Sequence, residues 1–589
     1  MTDTTSTLTA PDGPAPTARP PLVAPSRRSY AAYVAYVLLA AGVLLWISAL
    51  PGIRHATPTD LGLLFAASPA FAASMVVLVV GFVVALRRGD DRAMGLLLLA
   101  AIAVQRLTMP LTTDLPIYTW TFKHLGVVDY IFTHGGLARG ADVYHEWPGI
   151  FTATAWFSDV AGVDPVLLAH WFTPVIHVLI ALTMIGFARA AGLSRSTALT
   201  SAFIVELLNW VGQDYFAPQA AAFVLALAVL ALLTASKSSP TAAALTVPLF
   251  AALTVTHQLT PFWLLGVSIL LAVLGYVRPR WLPVVFAAIT IAYLYPRLGV
   301  VSEYGLLTSL NPVENAASNV PTTGTTGRWL TMFSVRSLAV TLWLASAVSA
   351  VALRRRGEPV GLPLAIMFGA FSLLLAQSYG GEAIFRVYLY ALPACALLVA
   401  PVLVRVVRAR IGRAGMASAL VVAATLASMQ GYFGAWFVNL VRPTELAVAR
   451  SLLTDVQPPA NITMAGPIWP ERPGGRYVDF AHFNGRHDSP MVWAAGLLGS
   501  SFADPSELEK VDRLMIGRSG VPNYLVISRQ MKEYCDYYGI FPTGAMDRLR
   551  DLALNSPDWV VVHDSADVTV FLFRGPGAPS STTTFTPPR

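Results

Sequence analysis

An apolar run ends at Thr112-Thr113-Asp114-Leu115-Pro116-Ile117-Tyr118. A carboxylate anchored at the end of a membrane helix can take a proton from a hydroxyl, or help hold a divalent metal. The ordinary alternative is an Asp that caps the following helix. In the next stretch, Tyr118–Gly136, the residues Phe122, Leu125, Val128, Ile131 and Phe132 recur at helical spacing. Lys123, His124, Asp129 and His134 interleave with them. The pattern predicts an amphipathic helix lying in the membrane interface, with Asp129 as a second candidate catalytic carboxylate. Asp142-Val143-Tyr144-His145-Glu146-Trp147-Pro148-Gly149 follows. Tyr144 and Trp147 suit the headgroup level of a bilayer. The same aromatic faces, with His145 beside them, suit a sugar ring, and Glu146 is the third candidate catalytic carboxylate.

Polar groups recur at later turns. Gln213-Asp214-Tyr215-Phe216-Ala217-Pro218-Gln219 joins two apolar runs and sets Asp214 and Gln219 at a membrane lip. Glu206 lies inside the preceding run, where an ionisable residue is by default a functional candidate. His257 begins another turn, while His170 and His177 sit in a run where a structural role is the simpler reading. Gly380-Gly381-Glu382-Ala383-Ile384-Phe385-Arg386 leads into a late apolar run. A guanidinium at that depth can grip a lipid phosphate through two parallel hydrogen bonds, or simply snorkel to the interface. Glu382 beside it is a candidate substrate contact, as is Tyr118.

Apolar runs position all of these groups. Of 589 residues, 55% are hydrophobic and 12% charged, against roughly 25% charged in soluble domains. Spanning the hydrocarbon takes about 20 apolar residues. The expected spans are 30–50, 69–86, 93–110, 166–188, 197–212, 217–235, 241–256, 259–276, 281–296, 334–353, 360–377, 388–404 and 414–436. Basic clusters fall at Arg27-Arg28, Arg87-Arg88 with Arg92, Arg189 with Arg195, Lys237, Arg278 with Arg280, Arg354-Arg355-Arg356, and Arg405 through Arg413. Thirteen crossings put all of them on one side, which the positive-inside rule makes the cytoplasm. The expected protein is thus a multi-pass cell-membrane protein with a cytoplasmic N-terminus and an extracytoplasmic C-terminal domain.

Residues 1–28 and 576–589 read as disordered tails. The stretch 29–438 reads as a helical membrane domain with an outer loop at 111–165. In 439–575, strand-like runs (Tyr524–Ser528, Trp559–His563, Val568–Phe573) alternate with helical patterns (Thr444–Leu453, Asp504–Met515, Met546–Leu554), which predicts a small α/β domain. The net charge of +7 is held in short clusters between apolar runs and does not point to nucleic acid. The two cysteines lie far apart in unlike contexts and predict no disulfide framework. No P-loop, dinucleotide fingerprint, zinc spacing or nucleophile elbow stands in a supporting context. Sparse charge inside the spans argues against an ion-coupled transporter.

Many spans, a large first loop, a carboxylate directly after its span, an amphipathic helix and a soluble C-terminal domain together resemble the GT-C class of membrane glycosyltransferases. The resemblance covers nearly the whole chain. Members commonly carry an acidic pair shortly before Tyr or Arg in that loop. Here Asp114 stands before Tyr118, and Leu115 occupies the place of the second acid, a departure that bears on metal binding more than on a base role. Tyr144–Gly149 is similar to the Tyr-Pro element that closes the loop in relatives. Two spans precede the loop-bearing one, where many relatives have none. The resemblance implies a sugar donor joined to a polyprenyl phosphate, a hexosyl or pentosyl transfer with inversion, and a glycan or lipid acceptor of the cell envelope. It implies that Asp114 takes the acceptor proton while Arg386 and His257 stabilise the departing lipid phosphate. Membrane lipids would be the surrounding partner. The alternatives are a polysaccharide polymerase, ligase or export component, and a non-enzymatic membrane scaffold.

Overall fold

The computed structural model describes residues 27–303, 323–375, 382–484, 488–494, 496–518 and 520–579. The expected N-terminal tail up to residue 26, residues 304–322, Ser378–Gly381 and the last ten residues, 580–589, lie outside the described residues. Among the described residues, nine helices are long and apolar enough to cross a membrane, and Pro240–Thr256, Thr260–Val273 and Gly361–Leu374 are shorter apolar helices. Together with Arg195–Leu208, they fill every one of the expected spans. The boundaries move where sequence is ambiguous. Thr326–Arg354 and Ala383–Ala409 extend well beyond the expected runs.

Arg195–Leu208 stops early. Its 14 residues reach only about 21 Å, short of a hydrocarbon core of about 30 Å. The chain then leaves the helix through Asn209–Ala217. Non-helical backbone at that depth survives only when protein covers it, and most of this turn is buried.

Contacts at one end of the bundle gather the basic clusters. Arg87 donates to the carbonyl of Val407 and Arg408 to that of Leu86. Glu358 pairs with Arg405, Asp91 with Arg195, and the Arg278 amide donates to Ser236 beside Lys237. The common side read from charge counting is therefore one physical face. The opposite face carries the loop after Thr112, the turn Asn209–Ala217 and the C-terminal domain; we call it the domain face.

The domain face is covered by a five-stranded sheet in the order β2-β1-β3-β5-β4. The strands are β1 (Asn461–Met464), β2 (Asp488–Pro490), β3 (Asn523–Ser528), β4 (Trp559–Asp564) and β5 (Val568–Phe573). β1 runs parallel to both β2 and β3, whereas β5 is antiparallel to β3 and β4. Helices Pro443–Asp455, Leu508–Ile516, Arg529–Tyr538 and Ala545–Leu554 flank it. Fully buried β3 and β5 read as continuous apolar runs, as strands covered on both faces do.

The helix Trp120–His134 packs its apolar face against protein, the default role for such a face. Thr121 through Val128 are all buried, and Phe122, Val127 and Val128 share a core with Trp469, Tyr477 and Leu452 of the C-terminal domain. The amphipathic pattern is real, but a protein surface covers it. Polar ties flank the apolar contact: Lys123 with Glu471, Asp142 with Arg472, and Asp129 accepting from the Gly475 amide. Gly126 makes the approach possible, since a Cβ there would stand 2.2 Å from the Arg472 carbonyl oxygen.

Gly126→Ala is therefore expected to push the C-terminal domain off this helix. Overpacking of this kind costs about 1–3 kcal/mol, read as a lower melting temperature in detergent and faster proteolysis within 439–575. Gly95→Ala, with open space around it, is the control and should leave both unchanged.

Candidate functional site

Arg106 is the one basic side chain of its helix buried in the bundle. It is 1% exposed and lies in a π-helical turn, Ala103–Leu107. The sequence explains the turn. Pro110 has no N–H to give the carbonyl of residue 106, and an extra residue in the preceding turn absorbs the mismatch. The guanidinium donates to Asp214 at 3.0 Å and to the Asn209 carbonyl, and stacks over Tyr432 at 4.1 Å.

Asp214 is shared. Its Oδ2 also meets His177 Nε2 at 2.9 Å, while His177 Nδ1 meets Glu206 Oε2 at 2.6 Å. All four residues are buried. Burial pushes Asp214 toward its neutral form. The Arg106 charge, then the His177 hydrogen bond, outweigh it and hold the carboxyl below its ordinary range. Thr173 donates to the Asp214 carbonyl at 3.1 Å, and His124 Nδ1 donates to the Phe216 carbonyl at 2.6 Å. Burial lowers His124 to about 3, so a neutral ring fills that place.

A small, partly open cleft lies beside this cluster. Arg106, Thr113, Thr121, His170, Thr173, Tyr215 and Tyr432 line it, together with the apolar Met109, Pro110, Pro116, Ile117 and Ala169. Hydroxyls and aromatic faces alternate with apolar groups, and Arg106 is already paired with Asp214. Such a wall suits a neutral, hydroxyl-rich ring better than a bare anion. Tyr118 borders the same region. Its backbone holds φ of 71°, uncommon for an aromatic residue and a form of strain that clusters at functional sites. Its ring lies 5.0 Å from that of Tyr215, and a Cβ on Gly212 would stand 2.6 Å from its hydroxyl.

Asp114 sits at the rim, exposed, with Thr113 and Pro116 on the cavity wall to either side. Its Oδ1 pairs with Arg54 at 2.7 Å. Two exposed groups in such a pair are worth roughly 0–1 kcal/mol, so an incoming hydroxyl can displace the arginine. Asp129 is occupied by the Gly475 amide. Glu146 is buried beside Arg297, and its carbonyl accepts from Tyr293. Tyr144 meets His124 edge-on, His145 is buried against Tyr130, and Trp147 faces Tyr293. These loop residues stand in the wall between bundle and domain.

Arg386, His257 and Gln219 do not line the cavity. Arg386 is tied to the turn through Glu382, while His257 and Gln219 belong to a separate hydrogen-bonded chain. Arg386 donates to Glu382 at 2.8 Å, and Gln213, next to Asp214, donates to the same oxygen at 2.7 Å. Gln219 donates to the Tyr390 hydroxyl, which bonds Thr260, and Thr260 bonds His257 Nδ1. That nitrogen also accepts from the Leu259 and Thr260 amides, so the imidazole caps the helix Thr260–Val273. Burial first, and the Arg386 charge second, keep His257 well below its ordinary range. The cap and the nearby arginine are therefore electrostatic neighbours.

The sequence reading passed over Arg106, although a lone arginine in an apolar run one turn before a proline is a visible signal. Among the described residues no group of three or more His, Cys, Asp and Glu is arranged to hold a metal ion. Asp114 pairs with Arg54 and is followed by Leu115, which is not a ligand set, and no step below passes through a metal.

The buried charges give a thermodynamic test. Removing one partner of a buried pair strands the other, typically at about 3–5 kcal/mol. Arg106→Met and Asp214→Asn should each lower the melting temperature sharply. The double variant should recover most of the loss, because the remaining His177 and Glu206 can still neutralise each other. Additive losses in the double variant would contradict the coupling.

No protein family and no curated protein matches the chain. Solved structures do. ArnT from Cupriavidus metallidurans bound to undecaprenyl phosphate is 12% identical over 85% of this chain and 99% of its own, with a TM-score of 0.43. The Archaeoglobus fulgidus oligosaccharyltransferase tethered to an acceptor peptide is 12% identical, covering 86% and 74% with a TM-score of 0.46. The arabinofuranosyltransferase AftD from mycobacteria is 15% identical, covering 83% and 42% with a TM-score of 0.46.

Proposed function

We propose that the chain is a membrane glycosyltransferase of GT-C type that moves a sugar from a polyprenyl-phosphate donor to a glycan or lipid acceptor at the outer face of the membrane. The observation that carries this reading is the placement of Asp114 at the rim of a cavity lined by hydroxyls and aromatic rings, between an apolar bundle and a covering α/β domain. That boundary can admit a ligand with a lipid tail from one side and a water-soluble acceptor from the other. The basic face on the far side supports assigning the domain face to the exterior.

The reaction is a displacement at the anomeric carbon. The acceptor oxygen forms a bond to that carbon as the bond to the donor phosphate oxygen breaks, with inversion. Asp114 takes the acceptor proton as the nucleophile advances. The polyprenyl phosphate leaves with the electron pair, and Arg386, with neutral His257 as a hydrogen-bond partner, offsets the growing charge. Glu382 releases part of Arg386 when phosphate arrives. Tyr118, Tyr144, His145, Trp147, Asp214 and Gln219 shape or brace the walls that hold the sugars. Asp129 and Glu146 remain the next carboxylates to take the base role, although each already has a structural partner.

Asp114→Asn preserves size and hydrogen bonding and loses basicity. General-base loss is worth about 10²–10⁴ in rate. The mutant should express normally, bind donor normally and transfer almost nothing. Purified wild type and mutant are compared in one transfer assay alongside a donor-binding measurement. A mutant within about threefold of wild type, well short of that range, removes Asp114 from the role.

A further inference from the structure

His177 is the least expected member of the buried cluster. It projects from the helix Phe172–Ala190, is 0% exposed, and takes no part in the proposed chemistry. Both of its ring nitrogens nonetheless face carboxylate oxygens, Glu206 at 2.6 Å and Asp214 at 2.9 Å. With both carboxylates ionised, a neutral imidazole, which offers one N–H, would turn its second nitrogen's lone pair toward an oxygen lone pair. Charge leads to the same place. Arg106 and an imidazolium supply two positive charges, and ionised Asp214 and Glu206 two negative, so that cluster is neutral only with the extra proton on the ring. Besides these three, Tyr432, which packs on Arg106, and Tyr118 are ionisable side chains that interact with the cluster. A buried cluster left with net charge would cost several kcal/mol per ion.

We propose that His177 is the positioning residue of the cavity, doubly protonated and clamped between Glu206 and Asp214. It holds the Asp214 carboxylate, and Asp214 in turn holds Arg106 against the cavity wall. The same clamp fixes the turn Asn209–Ala217, which presents Tyr215 to the cavity and tethers Arg386 through Gln213 and Glu382. Its benefit to sugar transfer rests on the proposed function; its protonation and its hold on the turn do not.

The charge arithmetic makes a specific claim about Glu206→Gln. With one carboxylate removed, Arg106 and Asp214 already balance, so His177 should give up a proton. Its Nε2–H then donates to Asp214 while Nδ1 accepts from the new amide. The test is ¹⁵N-histidine NMR of the full chain in lipid nanodiscs near neutral pH, with hydrogen exchange of residues 209–217. His177 is identified by the signals lost in His177→Asn, or, if that variant does not accumulate, by the pair that moves in Glu206→Gln. The expected result is two protonated nitrogens in wild type, the loss of one N–H in Glu206→Gln, and faster exchange across the turn in that variant. A wild-type ring with one bare nitrogen overturns the proposal. So does a ring indifferent to Glu206→Gln, or a turn whose exchange does not change. If these signatures hold while no polyprenyl-phosphate sugar is consumed, the glycosyltransferase reading fails and the clamp stands.

Discussion

The ion pair between Arg106 and Asp214 is the contact on which the domain face depends. Taking either charge out of water alone would cost several kcal/mol, yet both are within a few per cent of full burial. The sequence arranges the exchange locally. Pro110 forces a π-turn that aims Arg106, and the early end of Arg195–Leu208 frees the turn that brings Asp214 to it. Once closed, the pair fixes the backbone of Asn209–Ala217, and that turn is where Thr173, His124 and Tyr118 find their partners and from which Gln213 reaches Glu382.

The two proposed halves of the reaction differ in exposure. Asp114 is held loosely at an exposed rim, where a base must be reachable. Arg386 and His257 are buried, where a developing phosphate charge is stabilised most. The C-terminal domain docks on Trp120–His134 and on the loop that carries Tyr144 and Trp147. A loop wedged between two folded bodies cannot drift, and its residues need no rigidity of their own.

Much of this was legible in the chain. Apolar run length located a helix at each expected span, nine of them, among the described residues, long and apolar enough to cross a membrane. The basic clusters showed one common face, and contacts such as Arg87 to Val407 and Arg405 to Glu358 bear that out. β5 was readable to the residue from a run of β-branched and aromatic residues interrupted only by Leu572. What periodicity does not encode is the partner of an apolar face: Trp120–His134 looked like a membrane-surface helix and proved to be a domain interface. The helix Arg529–Tyr538 was missed because its buried side is only Gln530, Met531, Cys535 and Tyr537 amid polar neighbours. Glu206 and Asp214 stood out singly and Arg106 carried a visible signal, but their pairing with each other and with His177 was hidden, because the members are up to 108 residues apart and no local pattern names a partner across the bundle.

Sugar transfer from a polyprenyl phosphate is measured by supplying purified, reconstituted protein with a panel of radiolabelled polyprenyl-phosphate sugars and cell-envelope acceptors, and following label into acceptor together with free polyprenyl phosphate. At least one donor should give both products in equal amounts, only when protein and acceptor are present. Label that never leaves the lipid with any donor, in protein shown to bind those donors, would rule out the transfer.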